Sequence, residues 1–143
     1  MFKVLNDVQL SRHFRLSEFE CHDGNHEVML DGELVEKLEA LRVMLGVPVT
    51  VAAGYRNPVH NAKVGGSPNS RHMKGEAADI KGVGMSPKAV GIAAVKCGFT
   101  GVGIYRYNGQ MFTHVDVRPA KSYWCDKMGT HDLMAVKTLD EIR

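Results

Sequence analysis

The sequence predicts an α+β fold: a small, mostly antiparallel sheet with helices packed on one face and a polar site on the other. Two patterns and the composition point there. Asn108-Gly109 lies between alternating apolar residues, the signature of a two-residue type I′ hairpin. Leu34, Leu38, Leu41 and Leu45 recur at helical spacing and form one apolar stripe. At 143 residues, with 44% hydrophobic and 24% charged residues, the composition is globular and fits a single domain over 1–143.

The elements follow in order. Leu16-Ser17-Glu18-Phe19 reads as a short helical turn with Ser17 as its cap. The segment 21–27 is polar and reads as loop. A helix is expected over 31–45, capped by Asp31 and ended by Gly46. Residues 47–53 are β-rich and alternate, hence a strand. Asn57-Pro58 places a cap and a first-turn proline on a helix that ends near Gly65. Ser86-Pro87 does the same for a helix over 86–97, with Gly98 beyond its end.

The hairpin carries most of the argument. Strands over 101–107 and 110–117, joined at Asn108-Gly109, place Gly103 opposite His114 and Gly101 opposite Asp116. Side chains alternate faces. Val102, Ile104, Thr113, Val115 and Val117 then share the core face, and Tyr105, Phe112, His114 and Asp116 share the other. The two glycines leave space above the sheet that a metal and a substrate could occupy.

Composition also excludes classes. The net charge is +2 and there is no run of five Lys/Arg, so a nucleic-acid partner is not expected. No stretch of 18 apolar residues is present, so no membrane-spanning helix is expected. Residues 1–16 lack a seven-residue apolar core, so synthesis in the cytoplasm without a secretory signal is expected. Cys21, Cys97 and Cys125 are odd in number and widely spaced, the pattern of reduced thiols rather than a disulfide framework. A monomer is expected.

The densest chemistry lies in Ser70-Arg-His-Met-Lys-Gly-Glu-Ala-Ala-Asp79, followed 35 residues later by His114-Val115-Asp116. Two histidines and one carboxylate that can converge are what a catalytic zinc ion takes from a protein. His72 alone would read as a surface-loop histidine. Gly75 breaks any helix linking it to Asp79, so the pair does not form helical ligands. Ala77-Ala78-Asp79-Ile80 instead suits a short strand. With Ala78 and Ile80 facing the core, Asp79 faces the His114 side, and a glycine-containing loop can fold His72 back over the strand start.

This window resembles the S-x-H-x-x-G-x-A-x-D … H signature of the zinc D-alanyl-D-alanine carboxypeptidase family. Ser70, His72, Gly75, Ala77, Asp79 and the downstream His114 carry the likeness, which runs from about Phe14 to Arg118. The resemblance implies the hedgehog/D,D-peptidase fold and zinc held by His72, Asp79 and His114. It also implies hydrolysis of a peptide bond in cell-wall peptidoglycan, by carboxypeptidase or phage-lysin endopeptidase action. The peptide would be the partner, and release during phage lysis would be one route to the wall. A non-catalytic zinc-bearing binding domain, as in hedgehog, is the alternative. Ser70 becomes a helper beside the site, although a serine there can equally satisfy local backbone.

The chain departs from the pattern of that family at the proton acceptor. Where some carry Glu or Asp three residues before the last ligand, this chain has Met111; where others carry histidine two before it, this chain has Phe112. Asp116 is the remaining acid on the correct face, about 6.6 Å along the strand from His114. It is assigned as general base or as orienter of a ligand, with Glu76 a weaker candidate for the base. Ala53-Gly-Tyr-Arg-Asn-Pro-Val-His-Asn61 resembles the family's S-G-Y-R-x-x-x-x-N segment, with Ala53 in place of serine. Arg56 would then help polarise the substrate or clamp a carboxylate through its planar fork. Tyr105 is expected to contact substrate, and Asn61 to be structural. Cys21, His22 and His26 lack a fourth ligand and read as loop; Tyr123 and Trp124 could stack on a sugar or cover the sheet.

Overall fold

Short polar side chains start each helix by occupying backbone N–H groups that the first turn leaves unpaired. In a computed structural model that describes residues 5–107, 109–128, 130 and 132–143, Asp31 accepts from the Glu33 N–H and opens α1, Gly32–Leu45. Asn57 accepts from the His60 N–H at the start of α2, Pro58–Lys63. Ser86 accepts from the Ala89 N–H at the start of α3, Pro87–Lys96. Gly46 closes α1 at φ 66°, a left-handed conformation that L side chains rarely adopt. The turn at Leu16–Phe19 is 3-10, and its cap is Arg15 rather than the expected Ser17. Glu18 reaches back to the Arg15 N–H at 2.6 Å, so the turn starts earlier than the serine suggests.

Among the described residues six strands form one sheet in the order β1-β2-β4-β3-β5-β6. They are β1 Val49–Ala53, β2 Ala77–Gly82, β3 Gly101–Tyr105, β4 Phe112–Asp116, β5 Ser122–Asp126 and β6 Leu133–Val136. Pairing is antiparallel except between β3 and β5, which run parallel. The sheet is therefore mixed, a correction to the mostly antiparallel one expected. The last two strands, which no sequence pattern marks, bring in the parallel pair. The β3–β4 hairpin has the expected register, with Gly103 opposite His114 and Gly101 opposite Asp116. Asn108, and with it the expected turn type, lies outside the described residues, as do His131 and residues 1–4.

One face of the sheet is the core. Ala78, Ile80, Val102, Ile104, Thr113 and Val115 are inaccessible to solvent and meet Leu34, Leu38 and Leu41 of α1 and Val90 and Ala94 of α3. Thr113 is accommodated there because its hydroxyl donates to the Pro87 carbonyl at 2.8 Å. Burying each α1 leucine stabilises the fold by about 1.5–3 kcal/mol at most. The segment before α1 is pinned to it by Glu39. Its two oxygens accept from the His13 backbone N–H at 2.8 Å and meet the His13 ring Nδ1 at 2.6 Å. Burial alone would raise the Glu39 pKa, but the neighbouring Ser11 hydroxyl and then His13 outweigh it and bring the value from 4.5 down to about 2.

Two outcomes follow for stability. Leu38→Ala is expected to cost about 2–5 kcal/mol in urea denaturation, whereas Val43→Ala, at a position 65% exposed, should stay within about 0.5 kcal/mol. A folded pKa below the unfolded one stabilises above the unfolded value, and that stabilisation is lost as pH falls through the folded value. Glu39 should therefore add stability above about pH 4.5 that disappears toward pH 2. Glu39→Gln should flatten that part of the stability–pH curve; an identical curve in the variant would remove Glu39 from the account.

Candidate metal centre

Strands β2 and β4 are neighbours, and Asp79 lies directly opposite His114. Alternation turns their side chains away from the helices, to the face that also carries Asp116. His72 arrives from a 3-10 turn, Arg71–Lys74, capped by Ser70, whose hydroxyl accepts from the His72 N–H at 3.3 Å. Gly75, at φ 68°, then reverses the chain into β2; a Cβ there would lie 2.4 Å from the Met29 carbonyl. The turn lays His72 over the strand start. Its ring Nδ1 is 2.7 Å from the Gly54 carbonyl. A carbonyl only accepts, so the proton sits on Nδ1 and Nε2 is left to face Asp79 Oδ1 at 3.3 Å. His114 presents Nδ1 to the same oxygen at 3.0 Å. The two rings meet edge to face with centroids 5.1 Å apart.

His72, Asp79 and His114 are all buried, and each offers a ligand atom within 4.8 Å of the others'. Among the described residues no other such group of His, Cys, Asp or Glu occurs. Two imidazoles and one carboxylate, one ring already fixed through its second nitrogen, form a donor set that fits zinc in type and number.

Asp116 lies behind His114. Its Oδ2 meets His114 Nε2 at 2.7 Å, and Arg118 closes on both oxygens, with Nη2 2.6 Å from Oδ2 and Nε 2.9 Å from Oδ1. Burial would lower the His114 pKa, but Asp116 and Asp79 on either side raise it to about 9. Burial would raise the Asp116 pKa, but His114 and Arg118 hold it well below the usual carboxylate range. Both Asp116 oxygens are engaged. Of its two expected roles, orienting His114 fits this geometry; accepting a proton would need an oxygen that is free. Glu76 pairs with Arg71 at 3.2 Å.

The cluster floors a cleft of about 840 Å³ lined by Arg56, Ser70, Tyr105, Phe112, Arg118 and Trp124, among others. Arg56 stands beside the cluster, 3.3 Å from Asp79 Oδ2 and 3.5 Å from Asn61 Oδ1. Asn61 is buried and donates to the Ser67 carbonyl at 2.8 Å, which shapes the loop of the cleft wall. Tyr105 stacks on Phe112 at 4.5 Å; burial pushes its pKa upward. Met111 is half exposed and lies outside the cleft lining. Cys21 is buried and its thiol lies 3.5 Å from the Asn57 N–H.

The space above the two glycines is already filled. A Cβ on Gly101 would lie 1.9 Å from Asp116 Oδ1, and one on Gly103 would lie 2.3 Å from the Trp124 indole nitrogen. The glycines make room for that carboxylate and that indole, not for a metal and a substrate. The sequence leaves the role of Trp124 open, yet its ring lies 5.2 Å from the His114 ring and 4.9 Å from the Arg118 guanidinium. The signal that points to it is Gly103, whose missing side chain leaves room that a large neighbour can fill. Which neighbour depends on the parallel β3–β5 pairing, which places Gly103 against Trp124.

The site thus defines an α+β protein whose sheet carries a metal-ready His–Asp–His cluster at the floor of an open cleft. Residues 12–116 match the family model of peptidase M15, so the chain belongs to the peptidase M15 family. A 65-residue stretch is also 45% identical to the zinc D-Ala-D-Ala carboxypeptidase of Streptomyces albus G. That stretch is 45% of this chain and 26% of the relative, so the match spans about a quarter of the relative's length.

The Asp116–Arg118 pair generates its own prediction. Arg118→Ala leaves the buried Asp116 with His114 and the residue-118 N–H but without its guanidinium. The variant should cost about 1–3 kcal/mol in denaturant titration; a loss below about 0.5 kcal/mol would show that Asp116 does not depend on the guanidinium.

Proposed function

We propose that this chain is a zinc-dependent peptidase acting on a peptide bond of bacterial cell-wall peptidoglycan, working at the wall as one monomeric domain over 1–143. The convergence of His72 Nε2, Asp79 Oδ1 and His114 Nδ1 on the floor of a cleft, in a chain of the peptidase M15 family, carries this reading. The three side chains would hold the ion. Bound there, zinc supplies Lewis acidity toward a carbonyl oxygen and activates water.

The chain's own residues do the rest. Gly54 fixes His72 through Nδ1, and Asp116 fixes His114 through Nε2, leaving one nitrogen of each ring for the metal. Arg118 holds Asp116 in turn. Arg56 engages Asp79 and Asn61 only at 3.3 and 3.5 Å, which leaves its fork able to take a peptide carboxylate in the cleft. A terminal carboxylate is what a carboxypeptidase must recognise. D,D-carboxypeptidase action, the activity named for the Streptomyces relative, is therefore preferred to endopeptidase action.

The second reading is a non-catalytic zinc-binding domain with a hedgehog-like fold. It is favoured by Met111 and Phe112, which replace the family's acid and histidine, and by the engagement of both Asp116 oxygens. Digestion of purified peptidoglycan, followed by mass spectrometry, separates the readings. Loss of a terminal D-Ala supports the carboxypeptidase, cleavage within the stem peptide the endopeptidase, and no product at any zinc loading the binding domain.

Three sets of variants test the roles. His72→Ala, Asp79→Ala and His114→Ala should each fall well below one zinc per chain in elemental analysis; full zinc in any of them would remove that ligand. Asp116→Asn should weaken zinc binding by about 10–100-fold, the usual effect of losing the partner that orients a ligand. Unchanged zinc affinity with abolished turnover would return Asp116 to the role of base. Arg56→Lys keeps the charge but loses the fork, so kcat/KM should fall about tenfold to a hundredfold on peptides with a free carboxylate. On amidated analogues it should change little; equal loss on both would mean that Arg56 does not clamp that carboxylate.

A further inference from the structure

Tyr105 has one hydrogen bond made and one to give. Its hydroxyl oxygen accepts from the Trp124 indole N–H at 2.9 Å, and among the described residues none receives its proton. Its ring is held by Phe112, stacked at 4.5 Å with 11° between the planes, and it lines the same cleft as His72, Asp79 and His114. The indole is fixed as well. Gly103 gives it room, and Arg118 lies against its face at 4.9 Å. An indole N–H only donates, so Trp124 can take only a lone pair of the hydroxyl and leaves the O–H to point elsewhere.

We infer that Tyr105 donates this hydrogen bond to the carbonyl oxygen of the peptide bond being hydrolysed, and that Trp124 is the positioning residue that aims it. The inference rests on the hydrolytic reading above and names a group that acts within it. When water adds to the carbonyl carbon, negative charge builds on the oxygen, and a donor already in place binds that state more tightly than the ground state. Tyr105 suits this task because it is neutral. The cations of the cleft have other tasks: Arg71 pairs with Glu76, Arg118 pairs with Asp116, and Arg56 is the group proposed above to take the substrate carboxylate. Trp124 lies on β5, beyond the residues 12–116 that match the family, so the segment after the match orients the donor.

The test is a double-mutant cycle on the zinc-loaded protein, with the peptidoglycan peptide that the wild type cleaves. Tyr105→Phe keeps the stack on Phe112 and should lower kcat by about 10²–10³ with KM nearly unchanged, as for loss of one such donor. Trp124→Phe removes the N–H and should lower kcat about tenfold. The double variant should be no slower than Tyr105→Phe, because Trp124 acts only through the hydroxyl. Zinc content and melting temperature are read for each variant. Fully multiplicative losses would make Trp124 a packing residue and overturn its positioning role. Near-native kcat in folded, zinc-loaded Tyr105→Phe would overturn the inference while leaving the peptidase reading intact. A wild type that cleaves nothing would overturn both.

Discussion

Asp79 lies opposite His114 across β2 and β4, and the rest of the site depends on that pairing. Side chains alternate strictly along a strand, so a slip of one residue would carry both groups to the helix side and bring Ala78, Ile80, Thr113 and Val115 out to water. The core and the metal-ready face are thus specified by one register. The apolar face enforces it, since those four side chains are inaccessible beneath α1 and α3. The helices lie on the opposite face from the cluster, yet they determine which residues form it.

On the open face, charge is arranged in a line. Asp79, His114, Asp116 and Arg118 follow one another at 2.6–3.0 Å, with signs that can alternate, and Asp116 is wholly buried in the middle. Taking a carboxylate out of water costs several kcal/mol unless partners replace the lost solvation. Here the partners come from the same β4 strand and the residues just beyond it. The arrangement favours rigidity: each group is fixed by the next, and Arg118, the most exposed, ends the line at the cleft wall.

Much of this is legible in the sequence. Caps at Asp31, Asn57 and Ser86 are local hydrogen-bonding decisions, and each opens the helix it signals. The hairpin register follows from turn length and alternation alone, and it places His114 and Asp116 on one face. The features that sequence does not reveal are non-local or lack pattern. β6 is a mostly exposed edge strand, so no apolar alternation marks it. β5 joins β3 in parallel after a connection that passes the end of the hairpin, a topology that no short stretch of sequence encodes. In sequence, the space over Gly101 and Gly103 reads as room for ligand, because the residues that fill it, Asp116 and Trp124, are assigned by tertiary packing.

The placement of β5 and β6 has a consequence for how such a protein can diversify. They attach along the outer edge of β3, while the cluster is assembled on β2 and β4. An edge can gain, lose or exchange strands without altering the pairing further in. Trp124 reaches into the cleft from that edge, whereas His72, Asp79 and His114 do not depend on it for their backbone pairing. The metal ligands and the shape of the cleft mouth thus reside in separable parts of one sheet. A lineage could remodel what enters the cleft by editing the chain beyond Arg118 and leave the metal-binding floor intact.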